Sequence, residues 1–149
     1  MKIDQDKLKE VCQRFDLSLV VLFGSHAKGS SHPRSDVDLG VMPVKRDYDA
    51  RYILELLAAF RDVLGSHKID LTMLDRADPL LYFNVASQGV LLYESGEGEF
   101  VKFKVRATQR NNDAKKYYEM DRLYVEKFLR GEAMYVRSRS RPAKTEEAK

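Results

Sequence analysis

The sequence predicts an α/β (α+β) domain in which a small mixed β-sheet is flanked by helices and followed by a C-terminal helical segment. In some segments apolar residues recur at helical spacing, and in others they alternate with polar residues. Glycine, proline or a capping acid separates these segments. Helices and strands therefore follow one another along a chain of 149 residues, a length that suits one domain with a sizeable core.

The first part of the chain predicts one helix and two strands around a loop. Asp4 is placed to cap a helix whose apolar residues repeat at helical spacing. Residues 17–23 form a short apolar run, which indicates a buried central strand. Residues 24–35 have the composition of a loop with one helical turn at most. In residues 36–41 acids alternate with apolar side chains, which predicts a strand that Pro43 ends.

The middle of the chain predicts a helix followed by a strand. Residues 48–64 carry an apolar stripe at helical spacing, and Gly65 follows as a C-cap. The stripe consists of Ile53, Leu56, Leu57, Phe60 and Leu64. Residues 68–74 alternate, with Asp70 on the face opposite to Ile69, and so predict a second half-buried strand.

The last part of the chain predicts two helices, a short strand and a tail. The Asp-Pro pair at 78–79 supplies a cap and a first-turn proline for a helix that ends near Gly89. Residues 90–93 form a short strand, and residues 97–130 are helical in pattern, as one helix or two. We expect residues 1–131 to be the folded domain, and residues 132–149 to be a basic tail with too few apolar side chains to fold.

The distribution of charge does not favour a general nucleic-acid binder. The net charge of +3 belongs to the segment from residue 137 onward, which carries five basic and two acidic residues. Residues 1–136 then hold 21 basic and 21 acidic residues, so the predicted domain lacks the overall basic charge that attracts a phosphate backbone.

Cysteine usage and hydropathy indicate a cytoplasmic protein. Cys12 is the only cysteine and lies on the apolar side of the first predicted helix, so we expect a buried structural thiol in a reducing compartment. No apolar run approaches the roughly 20 residues of a membrane helix, and the N-terminus does not resemble a signal peptide. We therefore expect no membrane association.

The residues that carry chemistry lie between the first two predicted strands. Gly24 and Ser25 directly follow a buried strand, where backbone N–H groups and a hydroxyl can form a small phosphate-binding cradle. Asp36 and Asp38 are two apart on a strand, so both carboxylates point to the same face. Such neighbouring carboxylates repel each other unless a cation lies between them, and their oxygens suit Mg²⁺ or Mn²⁺.

Asp70 is the candidate for a third carboxylate. It interrupts another alternating strand between Ile69 and Leu71. If that strand lies beside the one that carries Asp36 and Asp38, the three acids converge on one place. Three such carboxylates can hold two divalent metals that activate a hydroxyl and neutralise a nucleoside triphosphate.

Gly24-Ser25, ten residues, and then Asp36-Val37-Asp38 resembles the signature of the polymerase-beta-like nucleotidyltransferases, with Asp70 matching their third carboxylate. The stretch GSHAKGSSHPRSDVDLGV is similar to the minimal nucleotidyltransferases (MNT), whose common form is Gly-Ser-x-Ala-Arg-Gly followed by Ser-Asp-x-Asp. The resemblance covers residues 17–93 well. The chain departs from it at two positions, where Lys28 replaces the usual arginine and His26 replaces an aromatic residue or arginine.

This resemblance implies a polymerase-beta-like nucleotidyltransferase fold and transfer of a nucleoside monophosphate, usually from ATP, to an acceptor hydroxyl. It implies that Gly24 and Ser25 hold the triphosphate and that Asp36 and Asp38 bind the metal bridging to it. Asp70 would bind a second metal near the acceptor, and it is also the candidate general base.

Free-standing minimal nucleotidyltransferases commonly resemble MntA-type antitoxins, which pair with a HEPN-domain toxin RNase and add AMP to one of its tyrosines. The resemblance therefore implies a HEPN toxin as partner and acceptor, in an assembly of the two proteins. Two alternatives stay open: the same chemistry on a small molecule such as an aminoglycoside, and a non-catalytic antitoxin that only covers the toxin.

Other polar residues near the motif, and tyrosines beyond it, are explained without a firm role in catalysis. We expect the loop histidines His26 and His32 to be exposed without a role, and we treat Lys28 and Arg34 as weak candidates for neutralising phosphate charge. A tyrosine and lysine group near the C-terminus is better explained by packing on a core or a partner than by binding RNA. That group consists of Lys115, Lys116, Tyr117, Tyr118, Tyr124 and Tyr135.

Overall fold

The computed structural model of the protein describes residues 3–30, 35–66 and 68–131. The chain divides into two compact units, Met1–Ala114 and Lys115–Lys149. The elements follow in the order α1 (Gln5–Arg14), β1 (Leu17–Phe23), α2 (Gly24–Ala27), β2 (Val37–Pro43), α3 (Ala50–Leu64), β3 (Ile69–Met73), a 3₁₀ turn (Leu74–Arg76), α4 (Pro79–Gln88), β4 (Val90–Glu94) and α5 (Glu99–Leu129).

Local capping signals fix the ends of the helices. The Asp4 carboxylate accepts hydrogen bonds from the first-turn amides of α1, and Asp78 does the same for α4. Asp49, which the sequence pattern did not single out, caps α3. Gly65 ends α3 with a φ of 61°, a left-handed conformation that favours glycine. The predicted caps at Asp4, Gly65 and Asp78 are therefore confirmed.

The four strands form one mixed sheet in the order β3-β2-β1-β4. The central strand β1 pairs antiparallel with both β2 and β4, whereas β2 and β3 run parallel. The predicted mixed sheet and its flanking helices are confirmed.

Two apolar clusters cover the two faces of the sheet. The first is formed by α1 and α3 and includes Leu8, Cys12, Leu56 and Phe60. The second contains residues of α4, of the 3₁₀ turn and of α5, among them Leu74, Tyr82, Val85, Phe103 and Ala107. Alternate residues of β1 and β2 point to one cluster and then to the other, so the sheet is covered on both faces.

Some boundaries differ from the sequence prediction. The strand expected to begin at Asp36 begins at Val37, so Asp36 lies just ahead of β2. The segment predicted as one helix or two is a single helix, α5. A 3₁₀ turn follows β3, at residues for which the apolar pattern predicts no separate element. The β2 start differs by one residue, as is common at element ends. The single α5 is one of the two predicted outcomes, and the 3₁₀ turn is an additional element of three residues.

Several further expectations concern residues outside the sheet. Cys12 is fully buried, as predicted, and burial raises the pKa of its thiol to about 12. Tyr117, Tyr118 and Tyr124 are exposed, so they do not pack into a core. Among the described residues, no helix has both the length and the apolarity needed to cross a membrane. The expected disordered tail at 132–149, including Tyr135, lies outside the described residues.

Candidate active site

The Gly-Ser pair lies directly beside one of the predicted carboxylates. Phe23, the last residue of β1, is in register with Asp38 of β2, and Gly24 follows at once. Gly24 has a φ of 69°, and a Cβ atom built on it would overlap Oδ2 of Asp38 and lie 2.8 Å from its Cγ. Only a residue without a side chain therefore fits between this turn and the carboxylate.

A second carboxylate adjoins Asp38 on its other side. The parallel pairing of β2 with β3 places Asp70 in register with Asp38, so the two side chains share one face of the sheet. This is the strand adjacency that the sequence prediction required. Because β3 is an edge strand, Asp70 is exposed, whereas Asp38 is half-buried between its neighbours.

The electrostatics of Asp38 reflect this crowding. Burial raises the pKa of the Asp38 carboxyl above its usual range, and the negative charges of Asp70 and Asp36 raise it further. His26 opposes the rise with a smaller effect. Asp36 is exposed just ahead of β2 and close enough to contribute to this field. Asp36 and Asp70 thus both lie close enough to Asp38 to disfavour its negative charge.

The donor set has the chemistry of a site for a hard divalent cation. Three carboxylates that disfavour each other's charge would be relieved by a cation, and carboxylate oxygens are the ligands that Mg²⁺ and Mn²⁺ prefer. Within the part of the chain that the structure describes, no three His, Cys, Asp or Glu side chains are already arranged to hold a metal.

The turn after β1 is held by short-range hydrogen bonds. The amide of Lys28 donates to the Gly24 carbonyl at 3.3 Å, and the amide of Ser30 donates to the Ser25 carbonyl at 3.2 Å. Ser25 is half-buried within α2, whereas Lys28 is exposed. These backbone hydrogen bonds define the turn that carries Gly24 and Ser25.

His26 differs from its sequence prediction. It is half-buried rather than exposed, and its Nε2 lies 3.3 Å from the carbonyl oxygen of Ser35, one residue before Asp36. A single histidine in a polar loop carries no periodic signal that could have predicted this contact across nine positions. His32 and Arg34 lie outside the described residues.

The arrangement can bind a charged phosphate chain beside an accessible acceptor. A Gly-Ser turn offers backbone N–H groups and a hydroxyl, and the adjoining acids suit a cation that would neutralise phosphate oxygens. The exposed edge strand leaves room for a second substrate at Asp70. A cleft of about 920 Å³, whose lining includes Tyr48 and Tyr52, contains none of the predicted site residues.

Comparison with known proteins relates this chain to established enzymes. The family model described as polymerase beta, nucleotidyltransferase, matches residues 6–98. The chain is 33% identical over 144 residues to the protein adenylyltransferase MntA of Aphanizomenon flos-aquae (strain 2012/KM1/D3). That match covers 84% of this chain and 96% of the relative.

Solved structures share the fold. A toxin-antitoxin structure with AMP-PNP superposes with a TM-score of 0.64 at 23% identity, covering 85% of this chain and 98% of that one. The antitoxin complexed with a tri-AMPylated HEPN toxin from Shewanella oneidensis gives a TM-score of 0.57 at 21% identity, covering 84% and 94%. The match to the family model, together with the fold and the curated relative, establishes that the chain is an enzyme of the polymerase beta nucleotidyltransferase family.

Proposed function

We propose that the protein is a metal-dependent adenylyltransferase that moves AMP from ATP to an acceptor hydroxyl, a tyrosine of a cognate HEPN toxin, and so acts as an antitoxin. One observation carries the proposal. Gly24 packs directly against the Asp38 carboxylate while Asp70 flanks the same carboxylate from the next strand. A phosphate-binding turn and a set of acids therefore meet at one end of the strands β1, β2 and β3.

Each side chain has a role that follows from its place. The Gly24 backbone and the Ser25 hydroxyl hold the triphosphate, since this turn presents polar groups beside the carboxylates. Asp36 and Asp38 hold Mg²⁺ or Mn²⁺, and Asp70 completes the ligand set. The bound metal supplies charge neutralisation to the phosphate oxygens.

The reaction balances without a further reactant. The acceptor oxygen attacks the α-phosphorus of ATP and forms a new P–O bond, while the bond from that phosphorus to the bridging oxygen breaks and pyrophosphate leaves. Asp70 takes the proton of the acceptor hydroxyl, because it is the exposed acid on the edge strand, where an acceptor can approach.

The relatives support the identity of donor and acceptor. The curated relative is named a protein adenylyltransferase, and the match with this chain covers almost the whole length of that relative. Structures of the same fold are toxin-antitoxin complexes, one with AMP-PNP and one with an AMPylated HEPN toxin. A protein acceptor that forms an assembly with the enzyme is therefore favoured over a small molecule such as an aminoglycoside.

Transfer of label from ATP tests the proposal. We expect the protein, incubated with α-labelled ATP, Mg²⁺ and the HEPN-domain protein encoded beside it, to label that protein on tyrosine. The double variant Asp36→Asn/Asp38→Asn keeps the side-chain shape but removes the charges that hold the metal, so label should fall to background. The matched control is Asp6→Asn/Asp62→Asn, which neutralises two exposed acids on α1 and α3.

The alternatives give different results in the same experiment. Label on an aminoglycoside with none on the toxin would assign a small-molecule acceptor. Full neutralisation of the toxin by Asp36→Asn/Asp38→Asn would assign an antitoxin that acts by covering its partner. Equal labelling by the double variant and the control would contradict the assigned metal-binding acids.

A further inference from the structure

A second polar cleft, of about 490 Å³, lies within the first unit and away from the carboxylates. Its lining comes from four segments that are distant in sequence. These residues are Met42, Arg46, Asp75, Tyr82, Arg106, Gln109, Arg110 and Asp113. Met42 is four residues beyond Asp38 on the same face of β2, so the cleft lies about 13 Å along the strand from that carboxylate.

Three arginines line this cleft together with one tyrosine, Tyr82. Arg110 stacks on the Tyr82 ring, with its guanidinium carbon 4.5 Å from the ring centroid. Burial raises the pKa of Tyr82, and the charges of Arg110, Arg106 and Arg46 all oppose the rise. The three arginines therefore line one cleft within electrostatic range of Tyr82, although they come from two separate parts of the chain.

The positive charge of this arginine cleft is not neutralised by salt bridges. Among the described residues, ion pairs within 4.0 Å occur only between side chains outside the cleft, Lys7–Asp4, Arg51–Glu55, Lys102–Glu99 and Arg122–Glu126. Asp75 accepts a hydrogen bond from the Tyr48 hydroxyl at 2.7 Å and is engaged there. Three arginines and two aspartates leave the cleft net positive, and its guanidinium groups are exposed to an incoming anion.

We propose that the arginine cleft binds a compact phosphate-bearing anion, for which inorganic pyrophosphate is the simplest probe. Several guanidinium groups that line one cleft match a group with several charged oxygens, as in phosphate, better than a single carboxylate. Tyr82 is 3% exposed and its ring is covered by Arg110, so no free aromatic face is available to stack a base. Recognition is therefore directed at the phosphate and not at a nucleobase.

Titration calorimetry of the full-length protein with sodium pyrophosphate, in buffer containing EDTA, tests this site. Chelation removes divalent metal, so the carboxylate site does not retain pyrophosphate through a cation. We expect wild type to bind, and Arg106→Gln to weaken binding about tenfold or more through loss of a charged hydrogen-bond donor. Arg61→Gln is the matched control, since it removes one exposed arginine from α3, on the other face of the sheet.

Two further variants distinguish binding in the arginine cleft from binding at the carboxylates. Asp113→Asn should tighten pyrophosphate binding, because it removes a negative charge from the cleft lining. Asp36→Asn/Asp38→Asn should bind pyrophosphate as wild type does, whether or not AMP transfer is confirmed. Weaker binding by Asp113→Asn, or loss of binding in the double variant, would overturn the assignment to the arginine cleft.

A parallel titration with AMP tests whether the cleft recognises a nucleoside phosphate or an inorganic anion. Binding of pyrophosphate as tight as that of AMP, or tighter, would support recognition of the phosphate alone, whereas tighter binding of AMP would assign nucleoside phosphates and contradict it. No heat from either ligand at millimolar concentration would overturn the proposal. Equal weakening by Arg106→Gln and Arg61→Gln would also overturn it, because loss of general charge would then account for the effect. Thermal unfolding of each variant establishes that it is folded.

Discussion

Replacing Gly24 by alanine should lower AMP transfer strongly while it lowers the free energy of unfolding only modestly. The added methyl group would overlap Oδ2 of Asp38, and the residue would also have to hold a φ of 69°. The turn and the carboxylate cannot both keep their places. Because Asp38 is anchored in a central strand, we expect the carboxylate and the Gly24–Ser25 turn to move apart.

Two contributions set the magnitude of this effect. The left-handed backbone costs an L-residue about 1 to 2 kcal/mol, which is a loss of folding stability. Displacement of a reacting or ligand-holding group by about 1 Å can lower a rate about 100-fold. We therefore expect Gly24→Ala to lose about two orders of magnitude in AMP transfer, with a modest fall in the free energy of unfolding.

Gly29→Ala is the matched control for this prediction. Gly29 has a φ of 68°, and no heavy atom lies within 4 Å of a Cβ built on it. It therefore carries the same backbone penalty without the collision. Initial rates of AMP transfer and urea unfolding are measured for both variants. If Gly24→Ala transferred AMP within threefold of Gly29→Ala, the close approach of Gly24 to Asp38 would not matter for catalysis.

Three further predictions concern the fold. Gly40→Ala should destabilise the protein by about 1 to 3 kcal/mol in urea unfolding, because the added Cβ would lie 2.9 Å from Cδ2 of Leu74. Gly96→Ala is the control and should cost less, because no heavy atom lies within 4 Å of a Cβ built there. Asp78→Ala should cost about 1 kcal/mol by removing the α4 cap, and an unchanged unfolding midpoint would contradict that role. Burial raises the pKa of Cys12 to about 12, so its neutral thiol favours folding below about pH 8.5. That contribution should be lost as pH rises toward 12, and iodoacetamide at neutral pH should alkylate Cys12 only on unfolding.

Features determined by local sequence were predictable. The strand at residues 17–23 was predicted with its observed bounds, because an apolar run ends at a glycine. The caps Asp4 and Asp78 each accept hydrogen bonds from amides two and three residues ahead, an interaction confined to one helical turn. Such signals need no knowledge of distant residues.

Features determined by distant contacts required the structure. Asp70 is 32 positions from Asp38 in sequence, and only the parallel register of β2 and β3 makes them neighbours. The contact of His26 with the Ser35 carbonyl closes a loop whose composition carried no indication of it. The arginine cleft gathers residues from four separate segments, and only its α5 residues, Arg106, Gln109, Arg110 and Asp113, are related by helical spacing.

The most direct test of nucleotidyl transfer compares ATP labelled on the α-phosphate with ATP labelled on the γ-phosphate, each incubated with the enzyme, Mg²⁺ and the HEPN protein. Attack at the α-phosphorus places the α-label on the acceptor and releases the γ-label in pyrophosphate. We expect that outcome for wild type, and neither product for Asp36→Asn/Asp38→Asn. Transfer of the γ-label to the acceptor, or its release as free phosphate without labelling of the acceptor, would contradict the assignment of the Gly24–Asp38–Asp70 site to AMP transfer.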